Sequence, residues 1–348
     1  MASDRPVPFD AAAGQRPAPY TEEPSVRFPE PPRGGARDPR IAERIGPWTG
    51  SGADVVLIGV PDDAGVERGG GRPGAAAGPD AIRKALRRFG TTYDLGTQTD
   101  FEDLRIADAG DLIVAGDDSA QTHERLSASV ERILRSGAVC VVLGGGNDAS
   151  FGSIQGLCRS AGSAAGINVD AHFDVREVVS GRITSGTPYR RVLEQLPVPG
   201  SHFTEFAAHP AVNSRAHHEW LLRAGACCLD LDAVRARGVD AAFGAELERL
   251  ARLGDALFVS IDLDVFAAAD APGVSAPGAD GLRPREGRAI ALSAGRAPQV
   301  RLFELMELNP HFDQDARTAR LCALLLCAFF AGVRQRPNLA HTETGSEP

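Results

Sequence analysis

Apolar and polar positions along this chain follow two rhythms. Short β-rich runs, among them DVVLIGV (54–60), AVCVVL (138–143), AAGINV (164–169), ACCLDL (226–231), ALFVSID (256–262) and VRLFELM (300–306), read as strands. Several are apolar at nearly every position, as in a parallel strand buried on both faces. Between them lie stretches with helical spacing, such as GPDAIRKALRRF (78–89), SAQTHERLSASVERILRSG (119–137), AAFGAELERLARLG (241–254) and ARTARLCALLLCAFFAG (316–332). The alternation predicts an α/β fold: a single domain of three layers, α/β/α, with a mainly parallel sheet between the helices. It occupies residues 41–335. Residues 1–40, rich in Pro, Gly and charge, are expected to form a disordered lead, and residues 336–348 a similar tail.

Ligands of open α/β sheets bind beyond the carboxyl ends of the strands. Polar clusters follow four of the predicted strands there: GGGNDAS (144–150), DAHFD (170–174), the D-L-D of SIDLDVF (260–266), and ELN (307–309). In DAHFD, Asp170, His172 and Asp174 sit at alternate positions and could converge on one point if the strand runs on. Asp262 and Asp264 repeat that spacing. Four carboxylates and an imidazole at two strand ends would repel one another without cations, so the pattern suggests a divalent metal site.

Bulk properties narrow the class. The formal charge of -9 and the lack of a Lys/Arg cluster argue against a nucleic-acid surface. No uncharged run is long enough to span a membrane, and no signal peptide is recognisable at the start, so a cytoplasmic protein is expected. The six cysteines (Cys140, Cys158, Cys227, Cys228, Cys322, Cys327) contain no C-x-x-C pair and read as reduced core residues. No G-K-[ST] follows the glycines of RGGGRPGAAAGP, which excludes a P-loop. His123, His202, His209, His217, His218, His311 and His341 read as structural or solvated.

With VDAHFD, SIDLDVFAAADAPGVSAPGADGL, ELMELNPHFDQDARTARL and the G-P-x-x-I-R helix start in view, the chain resembles the ureohydrolases over residues 53–333. That family includes arginase, agmatinase and formimidoylglutamase. The resemblance implies an arginase-like fold and two Mn2+ ions per chain, with Ni2+ the alternative ion. It implies Asp170 and Asp262 as bridging carboxylates, Asp174 as a ligand of metal A, and His172 with Asp264 as ligands of metal B. Asp264 and Glu307 would be the catalytic residues, Glu307 holding the substrate's cationic amidinium or guanidinium group. The chain departs from the family at Asn147, where a histidine usually binds metal A. Metal A would then be held loosely by Asn147, be held by Asp148, or be missing; alternatively, both residues simply cap the following helix.

No histidine follows DAHFD within the next dozen residues, where arginases and agmatinases carry one. That absence, the glycine triplet, the S-G-T-P run and Arg176 look most like the formimidoylglutamase members. The expected reaction is hydrolysis of a linear amidine C–N bond, N-formimidoyl-L-glutamate giving L-glutamate and formamide. Arg176, Arg182, Ser185 and Thr187 would bind substrate, and Arg190 lies near them. Two alternatives stay open: a hydrolase of guanidino compounds, and a pseudoenzyme with a degraded metal A site. A small-molecule amidine or guanidine is the expected partner, and the family suggests a homo-oligomer.

Overall fold

The computed structural model describes residues 16–29 and 39–337. Six apolar runs and two segments outside them form eight parallel strands: β1 (Val55–Gly59), β2 (Ile106–Leu112), β3 (Val139–Leu143), β4 (Ala164–Val169), β5 (Phe203–Ala208), β6 (Cys227–Asp230), β7 (Ala256–Asp262) and β8 (Val300–Met306). The two segments are β2 and β5. Across the sheet they run β2-β1-β3-β8-β7-β4-β5-β6. The four strands whose ends carry the polar clusters, β3, β8, β7 and β4, are therefore adjacent at its centre. That order sets the site.

The helices are α1 (Ala64–Gly69), α2 (Gly78–Leu86), α3 (Ser119–Arg135), α4 (Ser150–Ala161), α5 (Pro188–Gln195), α6 (Arg215–Ala224), α7 (Leu231–Arg237), α8 (Val239–Leu250), α9 (Pro284–Arg296) and α10 (Arg317–Arg334). Strand alternation divides the apolar residues between two cores. Val55 and Leu57 of β1 join the one covered by α2, α8, α9 and α10; Val56 and Ile58 join the one covered by α3, α4 and α5. The helix α10 is apolar nearly all round because it packs against α9, α2 and the sheet, with Phe329 stacked on Phe303 at 4.2 Å. No helix among the described residues is long and apolar enough to cross a membrane.

The Arg of the G-P-x-x-I-R start has a structural task. Arg83 is fully buried and forks onto Asp108 (Nε to Oδ2 2.8 Å, a second nitrogen to Oδ1 3.1 Å) and Asp111 (2.6 Å), tying α2 to β2. Gly59 leaves the space for this clamp, since a Cβ there would lie 1.9 Å from Asp111 Oδ1.

The expectation of a loose lead fails for residues 16–29. Thr21–Glu22 pair antiparallel with Leu112 and Asp111 of β2, and Ala18 and Val26 are buried. Ile45–Pro47 pair with the first half of the same strand. A few apolar residues anchored by ladder bonds suffice to order a segment whose average composition is polar. Residues 1–15 and 30–38 of the lead lie outside the described residues, as do residues 338–348 of the tail. At the tail's start Arg336 is buried, donating to the carbonyls of Gly295 (2.6 Å) and Val300 (3.0 Å). The six cysteines form no disulfide.

Candidate metal centre

Strands β4 and β7 end in the same local device. Asp170 Oδ1 accepts a hydrogen bond from His172 N at 2.7 Å, and Asp262 Oδ1 accepts one from Asp264 N at 3.0 Å. Alternate side chains thus meet through paired Asx-type turns. The strands do not run on, as the spacing suggested, because each aspartate captures the amide two residues ahead. Asp174 completes the turn at φ 47°, a strained left-handed conformation, and its carbonyl accepts from Tyr189 N.

Five residues contribute to two clusters of potential ligand atoms, each within 4.8 Å: Asp170, His172 and Asp264 in one, and Asp170, Asp174 and Asp262 in the other. Asp170 belongs to both. His172 Nδ1 lies 3.1 Å from Asp264 Oδ2 and 3.6 Å from Asp170 Oδ1. The buried Asp264 Oδ1 has no protein hydrogen-bond partner, which is what a cation-binding oxygen requires.

The electrostatics fit the same chemistry. Burial, then the Asp264, Asp170 and Glu307 charges, raise Asp262 well above the ordinary carboxylate range. Burial and Asp170 likewise raise Asp174, and they push Asp264 up to about 6. Burial alone would lower His172, but Asp264 and Asp170 outweigh it and push the imidazole up to about 12. Such a set retains protons that divalent cations would displace. Hard oxygens plus one imidazole suit Mn2+.

Asn147 is fully buried in a short turn (Asn147–Ala149) after β3. Its Nδ2 donates to Asp174 Oδ2 at 2.9 Å and reaches Asp170 Oδ2 at 3.4 Å, while its Oδ1 accepts from Ser150 Oγ at 2.9 Å. Neither Asn147 nor Asp148 caps α4 through its side chain. The Asp148 carboxylate is not available to a metal at this centre. It turns the opposite way, to His123 Nε2 at 3.0 Å, and His123 Nδ1 lies 2.9 Å from an Arg191 nitrogen. Because arginine only donates, His123 is the Nε2–H tautomer and donates to Asp148. A Cβ on Gly65 would lie 2.0 Å from Asp148 Oδ1, so the glycine is required there.

Glu307 follows β8 at φ 68°, with its amide on Gly145 O at 2.8 Å. Its Oε1 accepts from Asn147 N at 2.8 Å, and its Oε2 from Ser275 Oγ at 2.5 Å. Burial pushes it up to about 8, against the pull of those two donors.

The expected substrate residues divide. Arg176 and Arg182 are exposed, and Arg182 donates to Arg68 O. Ser185 lies beside the end of α1, near Gly69. Thr187 is not free for substrate: its buried hydroxyl donates to Thr184 O at 2.7 Å and accepts from Thr184 N at 3.2 Å. The turn that starts α5 consumes it. Arg190 packs over Trp220 and pairs with Glu177 and Glu194. The sequence reading missed Ser275, the pairing of Asp148 with His123 and of His123 with Arg191, and a line of polar strand residues that includes Asn168 and Ser260. The last carried a signal: each stands two positions before a ligand candidate.

Residues 53–331 match the sequence model of the arginase family. A formimidoylglutamase of Aeromonas hydrophila is 34% identical over 303 residues, covering 85% of this chain and 93% of that protein. The crystal structure of Trypanosoma cruzi formiminoglutamase with Mn2+2 superposes with a TM-score of 0.80 at 35% identity, over 86% of this chain and 100% of that one. Formimidoylglutamase from Bacillus subtilis gives a TM-score of 0.81 at 26% identity, over 88% and 95% of the two chains.

Proposed function

The chain belongs to the arginase family, and from that footing we propose that it is a manganese-dependent formimidoylglutamase. The reaction adds water across the formimidoyl carbon and breaks its bond to the substrate nitrogen, giving L-glutamate and formamide. One observation carries the reading: two ligand clusters share Asp170. That is the donor arrangement a binuclear centre needs. Asp170, Asp174 and Asp262 would hold one ion, with Asn147 beside them, and Asp170, His172 and Asp264 the other. When bound, two divalent ions supply positive charge to polarise substrate and to lower the pKa of water.

The chain's own residues do the rest. Glu307 fixes the cationic amidine, its two oxygens already oriented by Asn147 N and Ser275 Oγ. Asp264 would give its unpartnered Oδ1 to a cation and use its other carboxylate oxygen to take a proton from the attacking water. The exposed guanidinium groups of Arg176 and Arg182 suit a substrate with two carboxylates, and Ser185 can add a hydroxyl. Relatives called formimidoylglutamase at 34% identity support this substrate over a guanidino compound. Unpaired cysteines support a reducing, cytoplasmic setting. A homo-oligomer is part of the same reading, by analogy with symmetric enzymes at large.

The test is manganese content of the purified protein together with turnover of formimidoylglutamate, agmatine, arginine, guanidinobutyrate and guanidine. Formamide release with two ions per chain is expected. Urea release alone would replace the substrate, and a protein that binds no manganese and turns over nothing would be a pseudoenzyme.

A further inference from the structure

A buried polar side chain in the middle of a parallel sheet needs a reason, and here four of them form a line. Glu304 of β8, Ser260 of β7, Asn168 of β4 and Glu205 of β5 are register neighbours across four adjacent strands. All are fully buried. They share the face of Phe258 and Phe203, under α4 and α5. In an ordinary sheet these positions would be apolar.

The line lies one alternation beneath the centre, and its bonds run upward into it. Asn168 Nδ2 donates to Glu205 Oε2 at 2.9 Å and to Asp170 Oδ2 at 3.2 Å. Both amide hydrogens are spent on carboxylates, so Glu205 fixes which way the amide faces. Turned over, the amide would set its oxygen against the two carboxylate oxygens that accept from its nitrogen. Nearer β8, Ser153 donates to Glu304, while Ser150 Oγ lies 3.5 Å from Ser260 Oγ and donates to Asn147 Oδ1. Asp170 is the one residue common to both ligand clusters. An error in its orientation would therefore reach both ions.

We propose that Asn168 and Glu205 are positioning residues of the metal centre: Asn168 holds the Asp170 carboxylate, and Glu205 holds Asn168. This rests on the binuclear reading above. A purely structural role would make the pair a hydrogen-bonded filler of the core, replaceable by apolar residues of similar size without effect on metal.

The test is Mn2+ affinity, measured by competition with a fluorescent chelator, together with the unfolding midpoint of metal-free protein. Asn168→Leu and Glu205→Met keep volume and remove the bonds; Glu205→Gln keeps an acceptor for Asn168. Loss of an outer-shell partner commonly weakens metal binding about 10- to 100-fold. We expect at least tenfold for Asn168→Leu and Glu205→Met, with Glu205→Gln within about threefold of wild type. Asn168→Leu or Glu205→Met binding Mn2+ like wild type overturns the inference, as does Glu205→Gln failing as fully as Glu205→Met. If Asn168→Leu does not fold, the two Glu205 variants decide. Wild type that binds no Mn2+ overturns the functional reading instead.

Discussion

Glu307→Gln removes one charge from the substrate side of the centre and little else. The amide oxygen can still accept from Asn147 N, now 2.8 Å from Oε1, and Ser275, 2.5 Å from Oε2, can rotate its hydroxyl to accept from the new NH2 group. The backbone at φ 68° is unaffected by the exchange. What disappears is a charge-assisted bond to a cationic amidine in a site where Glu307 is almost wholly buried. Truncating one partner of such a pair costs about 2–5 kcal/mol. At about 1.4 kcal/mol per factor of ten, kcat/KM should fall by about 30-fold to a few thousand-fold. Formamide release at saturating Mn2+ gives the rate, and metal analysis gives occupancy, which should not change because Glu307 belongs to neither ligand cluster. A kcat/KM within about threefold of wild type across the substrate panel would refute the role. Loss of manganese would place Glu307 in the metal shell.

Asp262→Ala should leave less than about a tenth of wild-type turnover and release metal, because it removes one of three donors from its cluster; retained metal and activity would contradict the centre. Asn147→His replaces an amide by a stronger neutral donor, so manganese occupancy at limiting metal and resistance to chelator should both rise. No change in metal with loss of activity would mean that the Asn147 bonds to Asp170 and Asp174 have a task histidine cannot perform. Arg176→Ala and Arg182→Ala should each raise KM for formimidoylglutamate about tenfold with little change in kcat; unchanged KM in both would remove them from the substrate site. Finally, Glu307 and Asp264 rise from 4.5 and 3.8 to about 8 and about 6 in the metal-free fold. Groups raised on folding stabilise below their unfolded values and lose that contribution as pH climbs through the folded ones. The metal-free unfolding midpoint should fall from about pH 4 to about pH 8, and the increment given by Mn2+ should grow over the same window. A metal-free midpoint that rises across it would contradict the assignment.

Six of the parallel strands were legible as short apolar runs; β2 (IADAGDL) and β5 (FTEFAA) were not, because buried acidic residues interrupt their apolar pattern. The strand order was not legible either, since nothing local says that β8 inserts between β3 and β7; the resemblance to a family supplied the arginase-like answer. The period-two row of Asp170, His172 and Asp174 was visible, while the Asx-type turns that make it converge were not. Asp148 shows the limit of adjacency. Neighbouring residues in a tight turn diverge, and its partner His123 comes from another helix, 25 positions away in the sequence, with Arg191 behind His123. Thr187 failed for a related reason, its hydroxyl being taken by the turn at the start of α5, which the Thr187–Pro188 pair marks as a helix start.

The short pairings of Thr21–Glu22 and Ile45–Pro47 have a consequence for keeping the protein in solution. β2 is an outermost strand of the parallel array, seven residues long, and the two segments occupy successive parts of its free side. An outer strand with unpaired amides and carbonyls is a template for a foreign strand, and proteins commonly blunt it with a short covering piece. A chain beginning at residue 41, the cut that the composition of the lead would invite, bares the Asp111–Leu112 end. The enzyme's chemistry would be untouched, some distance away across the sheet, yet such a chain would be prone to associate edge to edge.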